Sequence, residues 1–156
     1  MANTFPTLIT NSIEQFPQAM ERAVDIKLLI LDVDGVLTDG SLLVGADGKE
    51  ALKIFDSLDG HGIKLLQSTG VTVAIITGRT SGMVEGRAKE LGIKHVQMGI
   101  SKKMDALQIL LEKTGFKLSD CAVMGDDWPD LAILPNVHLA TCPAQAHEEV
   151  KNRVHY

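Results

Sequence analysis

Asp32 and Asp34 stand two residues apart where an apolar run, Ile26-Lys27-Leu28-Leu29-Ile30-Leu31, gives way to Asp32-Val33-Asp34-Gly35. A dry strand that ends on two carboxylates implies something there for them to bind. On an extended segment, residues i and i+2 can aim at one point, and a hard cation at that point relieves their repulsion. Comparable residues follow later apolar runs: Thr77-Gly78-Arg79 after Val71–Ile76, Lys102-Lys103 after the third run, and Asp126-Asp127 after Cys121–Met124. Asp130 comes four residues beyond Asp126, placed either to brace the site or to face solvent.

Carboxylates in that number suit Mg²⁺, which takes few protein ligands, while a hydroxyl and a lysine hold a phosphoryl group. A carboxylate can itself be the nucleophile, giving an aspartyl-phosphate. Asp34 is placed to protonate the leaving alkoxide and then deprotonate the attacking water. Helical phase separates the two lysines. Lys103 falls on the line of Ala106, Leu107 and Leu110, toward the core, whereas Lys102 lines up with Asp105 and Ile109.

Elements that could gather these residues alternate along the chain. Residues 1–12 read as a flexible N-terminus, and Ile13, Phe16, Met20 and Val24 recur at helical spacing. After strand one, Ser41 to Phe55 carries two strand-like arms around Asp47-Gly48, a hairpin that is marginal alone and needs a surface to pack on. Helices are expected over Asp59–Thr69 with Asp59 as N-cap, from Thr80 as cap to Leu91, over Ser101–Thr114, over Trp128–Leu134 and from Ala146 onward. Strands are expected over Val71–Ile76, Lys94–Met98, Cys121–Met124 and Val137–Ala140. This βαβα alternation predicts an α/β, Rossmann-like three-layer fold in one domain over 1–156, with a five-stranded parallel sheet. Sites in such sheets form at the carboxyl ends of strands, so convergence of the suspicious residues predicts the order 3-2-1-4-5.

At 156 residues with 45% hydrophobic and 22% charged, the chain has an ordinary globular composition, and its net charge of −5 argues against nucleic acid or anionic membrane as partner. No run approaches a membrane span, and no signal peptide is visible. Cys121 and Cys142 lack CxxC spacing and read as reduced thiols of a cytoplasmic protein. His61, His95, His138 and His147 show no ligand spacing.

DVDGVLTDG, IITGR, a lysine after GIS, and GDDWPD, in that order over Ile26 to Ala140, resemble the four motifs of the haloacid dehalogenase superfamily of phosphatases. The hairpin in place of a cap domain resembles the capless, tetrameric branch acting on phosphate monoesters of sugar acids in lipopolysaccharide precursor synthesis. The resemblance implies Mg²⁺, with Asp32 as nucleophile and ligand, Asp34 as acid/base with its carbonyl on the metal, and Asp126 as third protein ligand. It further implies that Thr77 and Lys103 hold the phosphoryl group. Asp56, Ser57, Leu58, Asp59, Gly60, Lys64, Gly78, Arg79 and Arg87 fall where the branch meets its sugar acid, and Asp127 and Asp130 would support the metal site. Members carry arginine where this chain has Leu58, and often where it has Lys64. They also continue into a Gly/Arg-rich tail, whereas this chain ends at Tyr156.

Two alternatives remain at this point. One is a phosphatase for a related nine-carbon sugar-acid phosphate. The other is a receiver-like phosphoaspartate module, which shares the parts but takes its acidic pair and its phosphorylated Asp from different strands.

Overall fold

The computed structural model describes residues 16–156. The expected flexible stretch 1–12 and the start of the first helix at Ile13 lie outside them.

Strands β1 (Leu28–Leu31), β4 (Thr72–Ile76), β5 (His95–Gln97), β6 (Cys121–Met124) and β7 (Leu139–Thr141) form one sheet in the order β5-β4-β1-β6-β7. Every pairing is parallel, with Leu28 opposite Thr72 on one side and Cys121 on the other. Counted among sheet strands alone, this is the predicted 3-2-1-4-5.

Both faces are covered, which is why the strands read as continuous apolar runs rather than alternating ones. Leu28, Ile30, Ala74, Ile76 and Val123 pack with Leu107 and Leu110 of helix α4 (Lys103–Thr114). Leu31, Val73 and Ile75 pack on the opposite side with Ile63 of α2 (Ser57–Ser68) and with Val84, Ala88 and Leu91 of α3 (Gly82–Leu91). Helix α1 (Pro17–Ala23) adds Ala19 against Ala122 and Leu139. The last helix, α5 (Glu148–Lys151), is a single turn.

Some helix boundaries differ from the sequence reading, each for a local reason. Helix α2 is capped by Asp56, whose Oδ1 accepts from the Leu58 amide at 2.7 Å; Asp59 instead occupies the first turn, where its charge still favours the dipole. Helix α3 follows Ser81 rather than Thr80, and α4 starts at Lys103. The expected helix over Trp128–Leu134 is two 3₁₀ turns, Trp128–Ala132 and Leu134–Asn136, each with a proline in its opening positions.

The hairpin pairs β2 (Leu43–Val44) with β3 (Glu50–Leu52) as a separate two-stranded sheet, with an irregularity in register between Leu43 and Val44. No helix among the described residues is long and apolar enough to cross a membrane.

Candidate active site

Strand β1 delivers Asp32 to the centre of the sheet's carboxyl edge, where its amide donates to the Met124 carbonyl at 3.1 Å. The backbone then abandons the extended form. The amides of Val36, Leu37 and Thr38 all converge on the Val33 carbonyl, at 3.2, 2.9 and 3.1 Å. Asp34 therefore sits in a turn, and the expectation that its carboxylate shares one aiming point with that of Asp32 does not hold. Asp32 faces Lys103 at 3.0 Å, whereas Asp34 faces Lys53 and, at 3.7 Å, Arg79 Nε.

The same turn places Gly35 at φ +84°, with a side-chain direction already filled by the Asp126 carboxylate. Only glycine fits there.

Carboxylate oxygens of Asp32, Asp126 and Asp130 lie within 4.8 Å of one another. Asp130, 1% exposed, is already engaged: Oδ1 accepts from Lys103 Nζ at 2.6 Å, and Oδ2 from the amides of Asp126 and Asp127 at 3.2 and 3.3 Å. It braces the site rather than facing solvent. Asp127 caps the first 3₁₀ turn through the Trp128 amide.

Asp126 Oδ1 is buried without a hydrogen-bond partner, and Asp32 Oδ1 has only the ion pair to Lys103. Burial, then repulsion from Asp32, Asp130 and Asp127, pushes the Asp126 carboxyl up to about 6. Burial also raises Asp32; the pull of Lys103 opposes it and the charge of Asp130 adds to it. Unpartnered anionic oxygens packed this closely are costly unless a cation joins them, so the donor set fits a hard divalent ion.

Lys103 is 4% exposed; burial would lower its pKa, but Asp32 and Asp130 outweigh that and raise it, so the side chain stays charged. Lys102, at the N-cap of α4, is exposed, as the helical phase predicted. Thr77, 2% exposed, closes β4; its amide donates to Gln97 at 2.9 Å and its carbonyl accepts from Ile100 at 3.1 Å. With Asp32, Asp34, Lys103 and Asp126 it lines a cleft of about 450 Å³, with Gly78 and Arg79 at its side.

The remaining expected substrate residues do not reach this cleft within one chain. Asp56, Ser57 and Asp59 line a second cleft of about 540 Å³ beside Thr38 and Phe55, while Leu58 and Lys64 are exposed on α2. Gly60 is buried against Arg87. Arg87 itself donates to the Asp56 carbonyl at 3.0 Å, pairs with Glu90 at 2.9 Å and lies over the Phe55 ring. Sequence reasoning missed Lys53, whose side chain is 1% exposed and joins Asp34 to Glu50. A lysine among Leu52, Ile54 and Phe55 on a hairpin arm reads as solvated, and no spacing marks it otherwise.

A cleft at the carboxyl edge of a parallel sheet, with a carboxylate just after β1, a hydroxyl just after β4, a lysine on α4 and acids after β6, is the arrangement of a haloacid dehalogenase-like hydrolase. A model of that family, "haloacid dehalogenase-like hydrolase", matches residues 96–156. The chain belongs to this family, and it is a phosphoric monoester hydrolase. It is 43% identical over 140 residues to 3-deoxy-D-manno-octulosonate 8-phosphate phosphatase KdsC of Salmonella typhimurium, covering 90% of this chain and 74% of that protein. The solved phosphatase of the same name from Yersinia pestis superposes with a TM-score of 0.85 at 40% identity, over 89% of this chain and 75% of that one. The corresponding enzyme of Moraxella catarrhalis, solved with magnesium, phosphate and KDO, gives 0.83 at 40% identity, over 88% and 78%.

Proposed function

We propose that this phosphatase hydrolyses 3-deoxy-D-manno-octulosonate 8-phosphate to the free sugar acid and inorganic phosphate, with Mg²⁺. The observation that carries the reading is the meeting of Asp32, Lys103 and the unpartnered Asp126 carboxylate in one cleft, in a chain so similar to enzymes of that name. Carboxylates of Asp32 and Asp126, with the Asp34 carbonyl, would hold the ion, which supplies charge neutralisation to the phosphoryl group.

The chain's own residues then divide the work. An Asp32 oxygen forms a bond to phosphorus as the phosphorus–oxygen bond to the sugar breaks, and the departing oxygen takes its electron pair and a proton from Asp34. Water next gives a proton to Asp34 while its oxygen bonds phosphorus, and Asp32 leaves as the carboxylate. Lys103 and Thr77 hold the phosphoryl oxygens throughout, and Lys103, already charged and fixed, needs no reorganisation when negative charge develops.

Asp56–Gly60, Lys64 and Arg87 would meet the sugar acid of a neighbouring subunit, completing a homotetramer assembled through the Ser41–Phe55 hairpins. Leu42, Val44, Leu52 and Ile54 are 44%, 59%, 64% and 68% exposed, more apolar surface than a solvated flap carries. The whole chain would act as one domain in the cytoplasm, where Cys121 and Cys142 stay reduced; both are free, and burial pushes Cys121 up to about 11, which keeps it inert.

The test is phosphate release across a panel of sugar and sugar-acid phosphates with and without Mg²⁺. Preference for the eight-carbon acid ester supports the reading. Preference for a nine-carbon acid ester, or for a neutral sugar phosphate, would replace the substrate but leave the mechanism.

A further inference from the structure

Lys53 sits on an arm whose neighbours Leu52 and Ile54 are largely exposed, yet its own side chain is 1% exposed and turned inward. It donates to Asp34 Oδ1, 19 residues earlier, and pairs with Glu50 Oε1 at 2.8 Å. Burying an ammonium is costly and a buried ion pair adds little stability, so fold maintenance is a weak reason for this arrangement. Nor does Lys53 line the cleft that holds Asp32 and Thr77, so it is not placed to touch substrate.

Its one catalytic neighbour is Asp34, which stands on a turn rather than a strand and needs an external hold to fix its carboxylate. Lys53 grips Oδ1, while Oδ2 faces Arg79 at 3.7 Å, too far for a hydrogen bond. Oδ2 is therefore the oxygen that no hydrogen bond holds.

We propose that Lys53, aligned by Glu50, is a positioning residue for the acid/base step: it clamps one oxygen of Asp34 so that the other meets the leaving-group oxygen. The proposal rests on the reading of Asp34 as acid/base. It ties that residue to the hairpin, so the element that carries the exposed apolar arms also aims the proton donor.

Leaving-group chemistry separates this role from a structural one. A sugar alkoxide needs Asp34's proton as it departs; p-nitrophenolate is a weak base and leaves without one. In single-turnover measurements, which read phosphoryl transfer apart from the later hydrolysis, K53M is expected to slow release of the sugar acid by about 10- to 100-fold, within the range of general-acid effects, with half-saturation little changed. The loss on p-nitrophenyl phosphate should be at least tenfold smaller, and K53R should recover most of the difference.

Equal losses on both esters, or no loss, would overturn the proposal. If K53M does not accumulate as folded protein, E50Q, which loosens Lys53 without removing it, carries the same comparison. Its expected pattern is a smaller but still leaving-group-dependent loss, and a uniform one counts against the proposal. D34N distinguishes the two readings. Because Asp34 also takes the proton of the attacking water, the comparison is read on first-turnover release of the leaving group: there, uniform loss in D34N removes the acid/base reading itself, whereas selective loss in D34N with uniform loss in K53M removes only the clamp.

Discussion

Lys103 Nζ lies 2.6 Å from Asp130 Oδ1, with both side chains almost wholly buried, so the cation that lines the cleft is anchored by a carboxylate that two backbone amides hold in turn. Its other contact, Asp32 at 3.0 Å, points into the cleft. One ammonium thus joins the start of α4 to the loops after β1 and β6.

Lys103→Ala should therefore lower kcat/KM by about 10²- to 10³-fold, the usual cost of losing one preorganised charge, or about 3–4 kcal/mol. Lys102→Ala, one residue earlier and exposed, should change it less than twofold. Steady-state kinetics on the two variants, side by side, check this.

Asp32→Asn should abolish turnover, because the amide is no nucleophile and withdraws charge from the ion. Phosphate release at the normal rate by this variant would dismiss the aspartyl-phosphate route. Chelator should silence the wild type in the same assay, and added Mg²⁺ should restore it.

Asp126, held up near pH 6 by burial and neighbouring carboxylates, predicts a pH-dependent affinity for Mg²⁺. Above about 6 the carboxylate is free to bind; below it a proton must be displaced, so affinity should fall by up to about tenfold per pH unit. Stability of the metal-free protein runs the other way. A carboxyl whose folded pKa is raised favours the protonated fold, so its contribution is present below about 4 and lost as pH rises through about 6. Calorimetric titration of Mg²⁺ at pH 5 and 7.5, with Asp126→Asn as control, reads the first effect; melting in chelator reads the second.

Gly35→Ala combines a left-handed backbone with a methyl group aimed into the Asp126 carboxylate. The fold should survive with a melting temperature lowered by several degrees, in line with about 1–3 kcal/mol of backbone strain, while Mg²⁺ affinity drops by more than tenfold. Wild-type affinity in this variant would mean that Asp126 is not a ligand.

Val44→Glu with Ile54→Lys should yield monomers, since both positions lie on the exposed face of the hairpin. These leave Lys53 in place, which deleting the hairpin would not. Sedimentation should show the change in mass, and activity should fall far more on the sugar-acid phosphate than on a small ester. A monomeric wild type at micromolar concentration, fully active on the sugar-acid phosphate, would rule the assembly out.

The sheet order was legible because β1, β4 and β6 each end on residues that make sense only if gathered, and gathering them leaves one arrangement. Lys103 was legible for a similar reason, since the apolar line through Ala106 and Leu110 points inward and takes the lysine with it. What stayed hidden was tertiary. Nothing local says that the chain after Asp32 curls onto the Val33 carbonyl, giving Asp34 partners that Asp32 does not share. Asp56 and Asp59 are equivalent as caps until packing fixes where α2 begins. Lys53 acquires meaning only when the turn 19 residues earlier lies beside it.

In the proposed assembly the hairpin also makes concentration a kinetic variable. Leu52 and Ile54 point outward from the same few residues that send Lys53 inward to Asp34, so whatever seats the outer face sets the strand that aims the inner one. For the proposed assembly, dilution below its dissociation constant should therefore slow each remaining site, rather than merely reduce their number.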